Sequence, residues 1–439
     1  MNIENLENIT PELKSKKNES LKKILIGLLF IGAFGTLARS PLFFLIKFTD
    51  PTIYLITFSF MGFYFLDKTI KRKNWNGFER LYIFILIAMP LYSAIVANIY
   101  WKQPLFYGII TQQLWFYSTI AFLIFYLLKT EKITLYQLRD IILSISWIQL
   151  PVYILLGFVL DPHKFLDTSF AYCSSVKGCG WMFDIMFMSF SYFYYLIVFI
   201  KTNKWKYLIP VLVFLAYIVF EYQKRALTAS LVGTTMVYFY FQVSFKKKLY
   251  YISLFTIILI FLGGIIFIIK PEIFTRFADM YSSILEVFQG EESTDQSANS
   301  RITQVIYIGL YYAKHPSSIF FGNGKWNDNW EGSPLRLYGR FYPSDLGIIG
   351  AYFIYGIFGI LVVQFEYLQA MWWMRKVKEK ANDAFFVALK YYLLFFYIRS
   401  IPTGGSYFYP GAGVTTVIVS LIYFYYYREN KTEKNYSLE

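Results

Sequence analysis

Runs of about 18–25 apolar residues recur from one end of this chain to the other, and short polar connectors separate them. A helical run of that length matches the hydrocarbon thickness of a bilayer. Only helices and closed barrels satisfy every backbone group in lipid, and these runs are continuous rather than alternating, so helices are expected. The fold class is therefore all-α: a polytopic transmembrane bundle of about 12 helices, with one large external loop containing short helices. A chain that is 56% hydrophobic is too apolar for a soluble domain. Its aromatic residues, 22% of the total, reflect both interfacial belts and a Phe/Tyr-rich composition.

Helices are predicted over residues 24–46, 51–66, 81–100, 105–128, 141–160, 182–200, 207–221, 226–243, 250–269, 346–365, 384–398 and 413–427. The organisation that follows is a polar tail (1–23), transmembrane helices (24–269), one long polar loop (270–345), further transmembrane helices (346–427) and a second tail (428–439). Alternate connectors are rich in cations: Lys68, Lys71, Arg72, Lys73 and Arg80; Lys129, Lys132 and Arg139; Lys201, Lys204 and Lys206; Lys246, Lys247 and Lys248; Arg375, Lys376, Lys378 and Lys380. The connectors between them carry far fewer. By the positive-inside rule both termini are cytoplasmic and the long loop is external. The net charge of +14 is then mostly topogenic, and nucleic acid is not expected as a partner. The N-terminal tail does not read as a cleaved signal peptide.

Cys173 and Cys179 fall in one external connector, where they either close a small disulfide loop or stand as two thiols. His163 and His315 are the only histidines and lie in different loops, so no metal site is expected. No inverted repeat of the transporter kind is visible. P-loop, Gly-rich dinucleotide turn, HExxH and DxD motifs are absent, and no cofactor is expected.

The candidate chemistry lies on cations and one carboxylate. Lys224 and Arg225 occupy a helix junction on the external side; a guanidinium there either snorkels or offers a bidentate fork to phosphate. In the long loop, SANSRITQVIYIGLYYAKHP reads as a helix capped by Ser300 and stopped by Pro316. Its apolar face is Ile302, Val305, Ile306 and Leu310, which suits a helix lying on the membrane surface. Arg301 falls in the predicted first turn, where the helix dipole disfavours a cation unless an anion is shared. HPSSIFFGNGKW then supplies a turn, with Gly322 and Gly324 permitting positive φ. Trp326 and Trp330 either stack on sugar rings or belong to an interfacial belt. Arg336 and Arg340 precede YPSDLGIIG, in which Asp345 either acts as a general base or pairs with an arginine. Lys390 and Arg39 are intramembrane charges, and with Arg225, Arg276, Arg301, Arg340 and Arg399 the latter completes a candidate ring of arginines at the outer leaflet.

Three stretches, KRALTASLVG, SRITQVIYIGLYYAKHPSSIFFGNG and YPSDLGIIGAYFIYGIFGILV, resemble the O-antigen ligase/polymerase superfamily of bacterial surface-polysaccharide enzymes. They cover residues 221–243 and 300–365, and their order around one large loop carries the resemblance. It implies a glycosyltransferase of the bacterial inner membrane whose donor and acceptor are undecaprenyl-diphosphate-linked oligosaccharides. Arg225, Arg301 and Asp345 would be catalytic; Arg39, Lys224, Arg276, Arg336, Arg340, Arg399, His315, Trp326 and Trp330 would bind diphosphate or sugar. A chain-length regulator and a flippase are implied partners. Ligases of this family place a histidine just before the re-entry helix; here Phe341, Tyr342, Pro343, Ser344 and Asp345 stand there, which favours the polymerases. A lipid A-core ligase and a flippase are the alternatives.

Overall fold

The protein is described by a computed structural model over residues 20, 22–28, 46–112, 115, 118–166, 171–174, 178–181, 183–221, 225–269, 271, 296–327, 330–331, 341–377, 383–408 and 411–436. Arg39, Lys224, Arg276, Arg336 and Arg340 lie outside the described residues, as does the side chain of Arg225.

The chain is mostly helical. In order come α1 (Ile46–Ile70), α2 (Gly77–Trp101), α3 (Leu105–Thr111), α4 (Ile120–Lys129), α5 (Leu135–Val159), a ribbon of β1 (Ala171–Ser174) and β2 (Gly178–Trp181), α6 (Met186–Thr202) and α7 (Leu208–Ala216). Then follow α8 (Arg225–Gln242), α9 (Phe245–Ile269), α10 (Gln296–Lys314), α11 (Ser318–Phe321), α12 (Ile348–Lys376), α13 (Ala384–Thr403), α14 (Gly405–Phe408) and α15 (Gly411–Tyr436). Among the described residues four helices are long and apolar enough to cross a membrane: α2, α5 over Leu135–Gly157, α12 and α13.

The centre of the bundle is α6, α13 and α15, whose residues are buried nearly all round. A helix apolar on every face has no solvent side, and this trio shows it. Lipid is as apolar as leucine, so contact between helices relies on close packing and polar links rather than on burial alone. Gly108 lets α3 lie directly on α2: a Cβ there would stand 2.7 Å from the Ala94 Cβ. Ser191 donates to Ser146 at 2.7 Å, joining α6 to α5, and Thr416 donates to Ser118 at 2.9 Å, joining α15 to the residues that lead into α4.

Two expectations change. The span predicted over 105–128 is two helices, α3 and α4, because Gln112 leaves the helical run to donate to Ser93 Oγ at 2.7 Å and accept from Tyr355 at 3.1 Å. The loop helix α10 begins at Gln296, so Ser300 is not its cap; the Ser300 hydroxyl instead accepts from Gln304 Nε2 at 3.2 Å. Arg301 therefore lies beyond the first turn, where the helix dipole sets no requirement for an anion.

The cationic connectors gather at one end. Lys201 at the close of α6 interacts with Asp383, the N-cap of α13, and Tyr425 of α15 donates to the same carboxylate at 2.5 Å. Lys129 sits 5.6 Å from the Tyr427 ring, and Tyr251 near the start of α9 donates to Asn203 at 2.8 Å. Phe239, near the close of α8, packs on Tyr251. Thus α6 and α8 finish at the lysine-rich end, where α13 begins. Arg225, opening α8, and Arg399, near the close of α13, lie towards the other end.

Candidate functional site

At that other end the chain between α10 and α12 makes two docked turns. The first is SSIFFGNGKW. Gly356, with φ 64° and ψ −172°, breaks α12 and removes the ordinary partners of the Phe353 and Ile354 carbonyls. The loop replaces them: the Asn323 amide donates to Phe353 O at 3.0 Å and Ile354 O at 3.1 Å, Asn323 Nδ2 donates to Phe353 O at 3.0 Å, and the Gly324 amide donates to Ile354 O at 2.8 Å. A broken helix is tolerated at membrane depth where protein re-satisfies its backbone, and this loop does so. The fit requires glycine, since a Cβ on Gly356 would stand 2.3 Å from Gly322 N. Gly322 and Gly324 have φ of 69° and 72°, as the sequence led us to expect.

The same loop is held by α2 and by Gln103 just past its end. Ser93 Oγ accepts from the Lys325 amide at 2.9 Å, and Gln103 Oε1 accepts from the Asn327 amide at 2.6 Å. Trp326 is 5% exposed, stacked on Phe341 and edge-on to Trp101. Its ring is occupied by the core, which removes it from sugar stacking. Trp330 is half-buried. His315 is exposed, its ring 4.6 Å from Tyr311, and its carbonyl accepts from Ser318 Oγ at 2.7 Å, so its place is at the stop of α10.

The second turn is Pro343–Leu346, a 3-10 turn carrying Asp345 on its exposed side. Gly347, with φ 60°, seats the turn against Ile401 and Pro402 of α13; a Cβ there would stand 2.2 Å from Ile401 O. Gln304 of α10 accepts from the Tyr342 amide at 2.9 Å, tying α10 to the same turn. Arg301 lies on α10, one turn before Gln304, and is exposed. Arg399 lies on α13, close before the residues that receive Gly347. Its Nε is buried without a hydrogen-bond partner among the described residues, and its guanidinium lies 5.6 Å from the Phe396 ring. Arg301, Asp345 and Arg399 are thus carried to one turn by three elements.

α10 docks through Gln304 and Ile308, which are buried, while Ile302, Val305, Ile306 and Leu310 face outward at 39–58% exposure. The predicted apolar face is therefore turned away from the protein. On the inward side, burial pushes the Tyr312 phenol up, with the Tyr352 and Tyr311 rings adding to it.

Sequence reasoning passed over three buried carboxylates among the described residues, Glu366, Glu79 and Asp184, the last accepting from the Met186 amide at 3.4 Å. Glu366 in α12 accepts from the Tyr82 hydroxyl, and Glu79 in α2 pairs with Lys68 and accepts from Tyr64. Asn76 with Glu79 forms a capping box, and that N-x-x-E spacing was the signal for the second. Glu366 sits alone in an apolar run and had no such signal. Cys173 and Cys179 are opposed across the β ribbon and joined by a disulfide. His163 Nδ1 is 3.8 Å from one sulfur and 3.5 Å from the other, but both sulfurs are committed to that bond, so the trio offers a metal no thiolate.

No protein-family model, no curated protein and no solved structure matches this chain.

Proposed function

We propose that this protein is a polymerase of bacterial surface polysaccharide, of the O-antigen kind, working at the external face of the inner membrane. In this reading about 12 helices span the bilayer, both termini are cytoplasmic, and the chain from 270 to 345 is external. A growing glycan is transferred from undecaprenyl diphosphate to a repeat unit carried on the same lipid. An acceptor hydroxyl attacks the anomeric carbon; the new glycosidic C–O bond forms as the bond to the diphosphate oxygen breaks. The hydroxyl proton passes to a base, for which Asp345 is the candidate. Negative charge grows on the leaving diphosphate, and fixed guanidinium groups of Arg225, Arg301 and Arg399 stabilise it.

The observation that supports this reading best is the meeting of α10, α13 and the Asp345 turn, with a buried Arg399 Nε that has no protein acceptor among the described residues. A desolvated guanidinium donor calls for an anion. The outward apolar face of α10 supports placing this site at a membrane surface. A chain-length regulator and a flippase are the proposed partners in the cell. Deletion of the gene followed by gel separation of surface glycans is the test: the ladder is expected to collapse to a single repeat. Arg225→Ala or Arg301→Ala, at unchanged protein level, should fail to restore it, and normal chains from both variants would sink the proposal.

A further inference from the structure

A second cationic feature lies in the other half of the bundle. A cavity of about 500 Å³ opens between α8, α12 and α13. Arg375 and Lys390 line it with Gln364, and its walls include Leu368, Met371 and Leu394. Lys390 sits about 13 Å along α13 from Arg399, towards the lysine-rich end, so this cavity is separate from the Asp345 turn. Its volume falls within the range of small-molecule sites.

Lys390 is half-buried in an apolar helix and has no hydrogen-bond acceptor or carboxylate partner among the described residues. A cation in such a segment normally faces a cavity or pairs with an anion, and here it faces the cavity. Arg375 supplies a second cation, on the final turn of α12. The mouth is apolar: Phe241 is 70% exposed, Leu368 58% and Met371 41%. It therefore opens sideways, onto the surface that meets acyl chains rather than water. One occupant satisfies both halves of this lining: an amphiphile with an anionic head and a hydrocarbon tail.

We propose that the cavity holds a resident anionic phospholipid of the bilayer, with its phosphate between Lys390 and Arg375 and an acyl chain along Leu368, Met371 and Leu394. The site lies towards the end of the bundle where the cation-rich connectors gather, where anionic lipid is concentrated by charge. The reading is independent of any glycan chemistry at the other end.

Native mass spectrometry of the detergent-purified full chain, titrated with phosphatidylglycerol or phosphatidylcholine, reads this directly. Wild type is expected to retain phosphatidylglycerol in preference to phosphatidylcholine. Lys390→Met should weaken phosphatidylglycerol retention about tenfold or more, and Lys390→Arg should keep it. Equal retention of the two lipids by wild type, or unchanged phosphatidylglycerol retention in Lys390→Met, overturns the proposal. Should Lys390→Met fail to fold, Leu394→Trp narrows the cavity and leaves both charges in place. It is expected to lose the lipid, and undiminished retention would overturn the proposal equally.

Discussion

Two buried charge sites, one at each end of this bundle, are handled in opposite ways. At the lysine-rich end Lys68 is paired with Glu79, Asp67 with Lys71, and Asp383 accepts from Tyr425. At the other end Arg301 is exposed, and Arg399 carries a buried Nε with no partner among the described residues. A charge that is paired and capped holds helices in place. A charge kept without a protein partner costs stability and is retained where a ligand completes it. The contrast separates architecture from candidate chemistry within one chain.

The comparison breaks most visibly at the paired end. Glu79→Ala strands the buried Lys68 and removes the acceptor of Tyr64, so a loss of about 3–5 kcal/mol is expected in a denaturation midpoint series. Under the proposed polymerase reading, Arg399→Ala should leave that midpoint in place while slowing chain extension on the order of 10²–10³-fold, measured as polymer formed per unit of protein. A fall in stability matching that of Glu79→Ala would make Arg399 a structural residue. Asn323→Ala tests the other end's own scaffold: it removes the Nδ2 donor to the Phe353 carbonyl, which keeps its bond from the backbone amide, at a cost of about 0.5–1.5 kcal/mol, and Tm should register it. The smallest effect belongs to Lys71→Ala, a slight lowering of the same midpoint, because the pair is exposed and spaced i, i+4. Its hydrogen bond holds the Asp67 carboxyl below the usual range, so the difference from wild type is present near neutral pH and disappears as pH falls through the folded-state pKa.

Much of the scaffold was legible because spanning length and lysine clustering are local properties of sequence. Segments expected at 81–100, 226–243 and 384–398 fall on α2, α8 and α13. The positive φ at Gly322 and Gly324 was legible for the same reason, since a turn after His-Pro needs it. What sequence did not disclose depends on distant partners. The break in α12 is stabilised by a loop about 30 residues earlier, and the interruption after α3 by Ser93 and Tyr355. Trp326 looked available for a sugar because only Phe341 and Trp101, far from it in the chain, reveal that its ring is taken. Ser300 looked like a cap, yet Gln296 already belongs to α10.

The loop at Asn323 and Lys325 also sets a schedule for assembly. Ser93, in a helix made early, receives the Lys325 amide only after 232 further residues have been added. At about 5–20 residues per second that is a wait of roughly ten to fifty seconds. Throughout it, the backbone groove at Ser93 and Ala97 that later admits Gly324 stands without its filler. A Ser93→Cys chain arrested before residue 318 is therefore expected to keep the new thiol reactive to a membrane-permeant thiol reagent, and a released chain to protect it. Equal labelling of both would show that α2 closes without the loop. The early half of the protein, on this view, is inserted long before it is finished, and the step that completes it is the arrival of a short glycine-containing strip of chain.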